Sequence, residues 1–295
     1  MRRNQWLASV GVTGWNGSEP PAGCVGLRNL PPTATPSLAV FADYIMRIGA
    51  WRGRGVSKII FLMLFALVFL GVSNARSAGL DRGPVPFVGC VAEGMSGPEA
   101  APTRSARTPL VPATAASKLA HYAAAGMDVL APRGWHCIEI YGSGGAVLLV
   151  TPGPHSADEL QRFGQIAGPV VELSYLNGRT SGRFDVARIF ARLFPSKRPF
   201  VRQVIQEHIE PAARFPFGPF PADTLIRRGR SEVDFTTPPG RLGMGTLMDR
   251  LGPAADPVIG MVRLASQDGL MLLDVRLPAS LRPLASEIIR FARQE

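Results

Sequence analysis

Fourteen residues decide which part of this chain is available to fold. From Ile59 to Val72 every side chain is apolar or glycine, after Arg52, Arg54 and Lys58 and before Ser73-Asn74-Ala75-Arg76-Ser77-Ala78. Cationic, apolar and small-residue segments in that order form a secretory signal, here opening at Met46. A helix crossing the bilayer core needs about 20 apolar residues, so this run suits a cleaved signal better than the alternative, an uncleaved anchor. Ser73 and Ala75 occupy the −3 and −1 positions of a cut after Ala75, whereas a cut after Ala78 would put Arg76 at −3. Phe87-Val88-Gly89-Cys90 has the look of a lipoprotein box, but Cys90 stands 18 residues beyond Val72, too far for a lipidated cysteine. Arg2-Arg3 would suit a twin-arginine signal, yet no apolar segment follows until Ile59.

Residues 1–45 are rich in proline and glycine and show no sustained apolar period. A signal is read at an exposed amino terminus, so they are expected to be a start-site artefact, with translation from Met46, or a disordered extension. Removing the pre-sequence changes the charge argument. The whole chain is +10, but residues 1–75 hold seven of the 32 lysines and arginines and two of the 22 acids. A chain beginning at Arg76 keeps 25 cations against 20 anions, a net of +5. Export also excludes a cytoplasmic nucleic-acid partner, leaving mild attraction to anionic headgroups or wall polymers. Cys24 is lost with the pre-sequence, and Cys90 and Cys137 remain. Two cysteines in an oxidising compartment pair by default, and the bridge is worth about 3–4 kcal/mol in the chain-entropy treatment.

Residues 76–112 carry little periodicity and read as an extended arm before a globular domain at 113–295. Ala115–Ala125 reads as an alanine-rich helix stopped by Gly126. Trp135–Tyr141 and Ala146–Val150 flank Gly142-Ser143-Gly144-Gly145 as a hairpin. Val170–Leu176 reads as a strand. Ser181 is placed to cap a helix from Gly182 to Phe194, and Ser196 and Pro199 start another through Glu210. Short strands recur at Thr224–Ile226 and Glu232–Thr236. Val258–Ala265 and Leu270–Leu277 form a second hairpin turning at Gln267-Asp268-Gly269, and Ser280 caps a closing helix. Hairpins and paired helices without β-α-β alternation predict an α+β single domain, with a largely antiparallel sheet, two hairpins and three to four amphipathic helices.

Several stretches together resemble a group of exported proteobacterial proteins of unknown function. They are Gly89-Cys90, Ala131–Cys137, Tyr141–Gly145, Thr180–Arg188 and Glu210–Pro219. The resemblance covers most of the chain after residue 75 and none of residues 1–45. It implies export and the Cys90–Cys137 pairing, and it implies no activity.

No motif carries recognisable chemistry. Gly142–Gly145 lacks the Gly-Lys-Ser/Thr of a phosphate loop, and Tyr141 stands where a nucleophile elbow needs glycine. His121, His136, His155 and His208 show no metal-ligand spacing, so neither catalytic residues, metal nor cofactor are expected. Trp135, Glu139 and Tyr141 alternate with Cys137 onto one strand face, a candidate binding face or a shield for the disulfide. Phe215, Phe217 and Phe220 lie in a proline-stiffened loop that is either packed on the core or a partner patch. The expected function is that of an exported cell-envelope or periplasmic protein, non-enzymatic, with no stable membrane anchor after cleavage, that binds an envelope partner or ligand. An envelope hydrolase with dispersed catalytic residues is the alternative.

Overall fold

A ladder of apolar strands that pair in antiparallel register organises the chain. The computed structural model describes residues 81–295 apart from 106, 164, 249, 267 and 295, all within one compact unit. The expected signal segment and residues 1–45 lie outside the described residues. In chain order the strands are β1 (Arg82–Pro84), β2 (Phe87–Gly89), β3 (Val91–Gly94), β4 (Leu110–Pro112), β5 (Leu119–Ala123), β6 (Asp128–Pro132) and β7 (His136–Gly142). They continue as β8 (Gly145–Thr151), β9 (Val170–Leu176), β10 (Thr224–Arg227), β11 (Glu232–Thr237), β12 (Val258–Leu264) and β13 (Leu270–Arg276). The helices are α1 (Ala113–Ala116), α2 (Ala157–Phe163), α3 (Arg183–Leu193), α4 (Arg198–Gln206) and α5 (Ala285–Ala292).

Eight strands form the main sheet in the order β10-β11-β12-β13-β9-β8-β7-β3, antiparallel throughout except for the β3–β7 pair. A smaller sheet, β2-β5-β6, lies apart, and β1 pairs with β4. The architecture is α+β with a largely antiparallel sheet. Alternation sends the side chains of the main sheet to two faces. On one, Leu148, Leu173, Met261 and Leu273 pack with Leu119, Tyr122 and Leu130 of the small sheet and Ile288 of α5. On the other, Leu176, Val262 and Leu272 meet Val186, Phe190 and Leu193 of α3 and Val201 of α4. Beside them, Ile138, Leu149 and Val170 pack on Leu160, Ile166 and Leu251.

Four details differ from the sequence reading. Ala115–Ala125 is not one helix: α1 ends at Ala116 and β5 begins at Leu119. Alanine-rich composition favours a helix locally, but burial of all five β5 residues, His121 and Tyr122 included, wins. Ser181 does not cap α3, whose N-cap is Gly182. Its hydroxyl meets that of Ser143, 2.9 Å away. The closing helix starts at Ala285 behind a 3-10 turn at Arg282–Leu284, without a Ser280 cap. The described part of the expected arm, from Asp81, is drawn into the body: β2 joins the small sheet and β3 forms an edge of the main one.

Cys90 is the single residue between those two strands, and its Sγ is bonded to that of Cys137, with Cα atoms 5.3 Å apart. One covalent bond therefore fixes the point where the chain crosses between sheets. At the far end of the hairpin, Gly145 has φ +144°, and a Cβ there would lie 2.0 Å from the Tyr175 carbonyl oxygen. The glycine of this turn is thus needed for close strand approach. No helix among the described residues is long and apolar enough to cross a membrane.

Candidate functional site

The three phenylalanines of the proline-stiffened segment are used in three different ways. Phe215 is buried in the α3–α4 core and anchors the loop. Gly218, at φ +94°, turns the chain back, where its amide donates to the Ala191 carbonyl and its own carbonyl accepts from Arg192 Nη1. Phe220 lies half-buried under the Arg192 guanidinium, 3.9 Å from the ring centre. Phe217, between these fixed points, is 44% exposed. Folding has spent backbone hydrogen bonds and an anchor on both sides of an aromatic ring that it leaves in solvent.

Arginines surround that ring. Arg198 opens α4 with its guanidinium 5.6 Å from the Phe217 centroid, within cation–π range. Arg202, one turn further along, lies on the same exposed helix face, while Val201 and Val204 point inward. Neither Arg198 nor Arg202 has a carboxylate partner among the described residues. Beneath the loop, burial pushes Arg192 down from its ordinary value and Asp223 up, each partly offset by the other's charge. Asp223 accepts from the Thr237 hydroxyl (2.8 Å) and the Met244 amide (2.8 Å), which ties the loop's exit to the segment between β11 and β12.

The Trp135, Glu139 and Tyr141 face is partly buried. Glu139 is fully buried, and Tyr141 donates to the Gly97 carbonyl at 2.5 Å. Trp135 packs partly buried beside Cys137 against the core. The alternation expected for this strand holds: Trp135 and Cys137 pack on the core, Glu139 is buried, and Tyr141 is half-buried against Gly97. Gly142–Gly145 works as a packing turn, with the Gly144 carbonyl accepting from the Asn177 amide. Among the described residues no group of three or more histidine, cysteine or acidic side chains could hold a metal.

Two buried polar sites escaped the sequence reading. His121 Nε2 lies 2.6 Å from Asp128 Oδ2, and its ring sits between those of Phe87 and Phe291. On the main sheet, Glu172 of β9 and Asp274 of β13 are directly opposed across the ladder, 1% and 2% exposed. The visible signal was a carboxylate inside each of two apolar runs, Val170–Leu176 and Leu270–Leu277. Glu172 accepts from the Ser174 hydroxyl (3.2 Å) and pairs with Arg250 at 3.4 Å. Its Oε2, and Oδ1 of Asp274, have no hydrogen-bond partner among the described residues. Burial raises both carboxyls, Asp274 well above its ordinary value with the Glu172 charge adding to the effect. Comparisons with family models, curated proteins and solved structures return no match.

Proposed function

We propose that this chain is exported, loses residues 1–75 by cleavage after Ala75, and acts outside the cytoplasm as a non-enzymatic protein that attaches reversibly to an anionic phospholipid surface through Phe217, Arg198 and Arg202. The observation that carries the reading is Phe217, 44% exposed between two fixed points of its loop and beside an arginine. An aromatic ring that enters the interface, with cations that meet lipid phosphates, is the usual chemistry of weak peripheral attachment. The net charge of +5 after Ala75 favours the same partner. The bridge between Cys90 and Cys137 suits an oxidising compartment. Likeness to the exported proteobacterial group supports the address and is silent on the activity.

The test is co-sedimentation of residues 76–295 with vesicles of phosphatidylglycerol against vesicles of phosphatidylcholine. Preferential binding to the anionic vesicles is expected, weakened at least about tenfold by Phe217→Ala with Arg198→Ala and lost at high salt. Equal binding to both vesicle types, or an unaffected double variant, rejects the proposal. Mass spectrometry of the processed protein decides the export reading separately.

One observation favours the alternative, an envelope hydrolase. Glu172 and Asp274 are paired carboxylates of the kind acid–base hydrolysis uses. Their burial to 2% exposure or less weighs against it. Wall-glycan hydrolysis that disappears in Glu172→Gln would restore it.

A further inference from the structure

The main sheet ends differently at its two edges. At β3 the outer side is taken up by the protein's own chain: Ala92 and Glu99 exchange backbone hydrogen bonds of 3.1 and 2.7 Å. At β10 no segment does this among the described residues. The Arg228 amide donates to the Glu232 carbonyl at 2.8 Å, and an antiparallel ladder uses alternate residues, so Thr224 and Ile226 also face β11. The far side of β11 agrees. Leu264 donates to the Ser231 carbonyl, which turns Val233 and Phe235 towards β12 and away from β10. Leu225 and Arg227 therefore point their N–H and C=O groups outward, with no backbone partner there among the described residues.

The side chains of this edge run from an apolar end to a cationic one. Leu225 packs half-buried on the α3–α4 core, whereas Ile226, on the opposite face, is 50% exposed. Then come Arg227, Arg228 and, in the turn, Arg230. Arg227 donates to the Leu193 carbonyl at 2.8 Å, and Arg228 pairs with Asp234 at 2.9 Å. Arg293 holds both acids of β11, Glu232 and Asp234. Among the described residues Arg227 and Arg230 thus have no carboxylate partner.

We propose that the outer edge of β10 takes an extended acidic peptide as an added antiparallel strand, its apolar residues beside Leu225 and Ile226 and its carboxylates at Arg227, Arg228 and Arg230. Two outward amides and two outward carbonyls supply affinity that does not depend on sequence. Cross-strand neighbours lie about 5 Å apart, so the side chains of the edge select the guest. Antiparallel addition, the more stable pairing, sets the guest's acidic end first and its apolar end last. Charge decides between a foreign acidic strand and a second copy. Another β10 would bring the same three arginines to an edge that already has two unpaired, and such cations are how edge strands avoid their own kind. This holds whatever the Phe217 loop binds.

The test is a titration of the isotopically labelled protein with the blocked peptide Glu-Glu-Glu-Val-Ile-Val, followed through its amide NMR signals. Saturable shifts centred on Leu225 and Arg227 are expected, with binding at least about tenfold weaker for Lys-Lys-Lys-Val-Ile-Val. Of two acidic peptides N-methylated on complementary sets of alternate residues, only one is expected to lose binding, since a strand turns every second amide to its neighbour. Arg227→Pro removes an outward amide and a cation but no bond of the β10–β11 ladder, and is expected to weaken binding at least about tenfold, more than Arg227→Ala does. Should the proline variant not fold, Arg230→Glu in the turn is expected to weaken binding several-fold. Shifts centred elsewhere, equal binding of the acidic and basic peptides, or equal binding of the two methylated peptides overturns the proposal. So does a dimer of the protein that Arg227→Pro abolishes, because a second copy would then own the edge.

Discussion

Two cross-strand pairs bury acidic side chains in this molecule, and they do so with different partners. In the small sheet, Asp128 meets His121 on the diagonal, two positions from its direct partner Ala123. The imidazole nitrogen lies 2.6 Å from the carboxylate, Arg107 approaches the other oxygen at 3.4 Å, and Asp128 keeps 17% exposure. In the main sheet, Glu172 and Asp274 meet face to face, and among the described residues they have one arginine ion pair and two oxygens lacking donors. Opposite groups placed diagonally complete each other, whereas like groups placed directly opposite require a proton or water. The first pair fastens a structure; the second is held at an electrostatic cost that rises as its carboxyls ionise.

The largest test of this contrast is Arg276→Ala. It strips three carbonyls, two of them in buried bonds, of their donor and leaves Asp274 without the cation that offsets its burial. A loss of about 3–5 kcal/mol in urea unfolding is expected, and a loss under about 1 kcal/mol would mean that these carbonyls and Asp274 find other partners. Next, replacing Cys90 and Cys137 together by alanine is expected to cost about 3–4 kcal/mol. That variant sharpens the contrast by showing how far the small-sheet pair depends on attachment to the main sheet. Third, the same substitution at both pairs should act in opposite directions. Asp128→Asn is expected to destabilise by about 1–3 kcal/mol, since His121 is 1% exposed and exchanges a charged acceptor for a neutral amide. Asp274→Asn is expected to remove a stability slope of at most about 1.4 kcal/mol per pH unit, and to be at least as stable as wild type in base. Equal losses at neutral pH would erase the distinction. Smallest of all is Arg293→Ala at the sheet rim. Its partners Glu232 and Asp234 form an ion-pair network with a third of the guanidinium exposed, so under about 1 kcal/mol is expected by thermal unfolding.

Much of the main sheet was legible, because its strands are apolar runs bounded by turn residues. Val170–Leu176 and the two hairpins stand in the structure with those boundaries or within a residue or two. The small sheet was not. β2 pairs with β5 across about thirty residues and in parallel, so nothing local marks it, and alanines in the intervening segment favour a helix. The same holds for the buried carboxylates. Glu172 and Asp274 each look out of place in an apolar strand, but only the register of β9 with β13 reveals that they face one another. The loop was half legible: its composition marked it as unusual, while the division of labour among Phe215, Phe217 and Phe220 needed the positions of Arg192 and Arg198.

The parallel pairing of β3 carries a consequence for the order in which the chain is assembled. Cys90 emerges 47 residues before Cys137, and β3 can dock only after β7 exists. Until then the segment around Cys90 is a waiting strand with an available thiol, while the antiparallel ladder from β7 onward needs nothing upstream to close. Fastening this segment is thus a non-local step that spans the 47 residues between Cys90 and Cys137. Its docking waits on β7 alone, so the covalent crossing between the two sheets can close before β9, β12 and β13 complete the ladder.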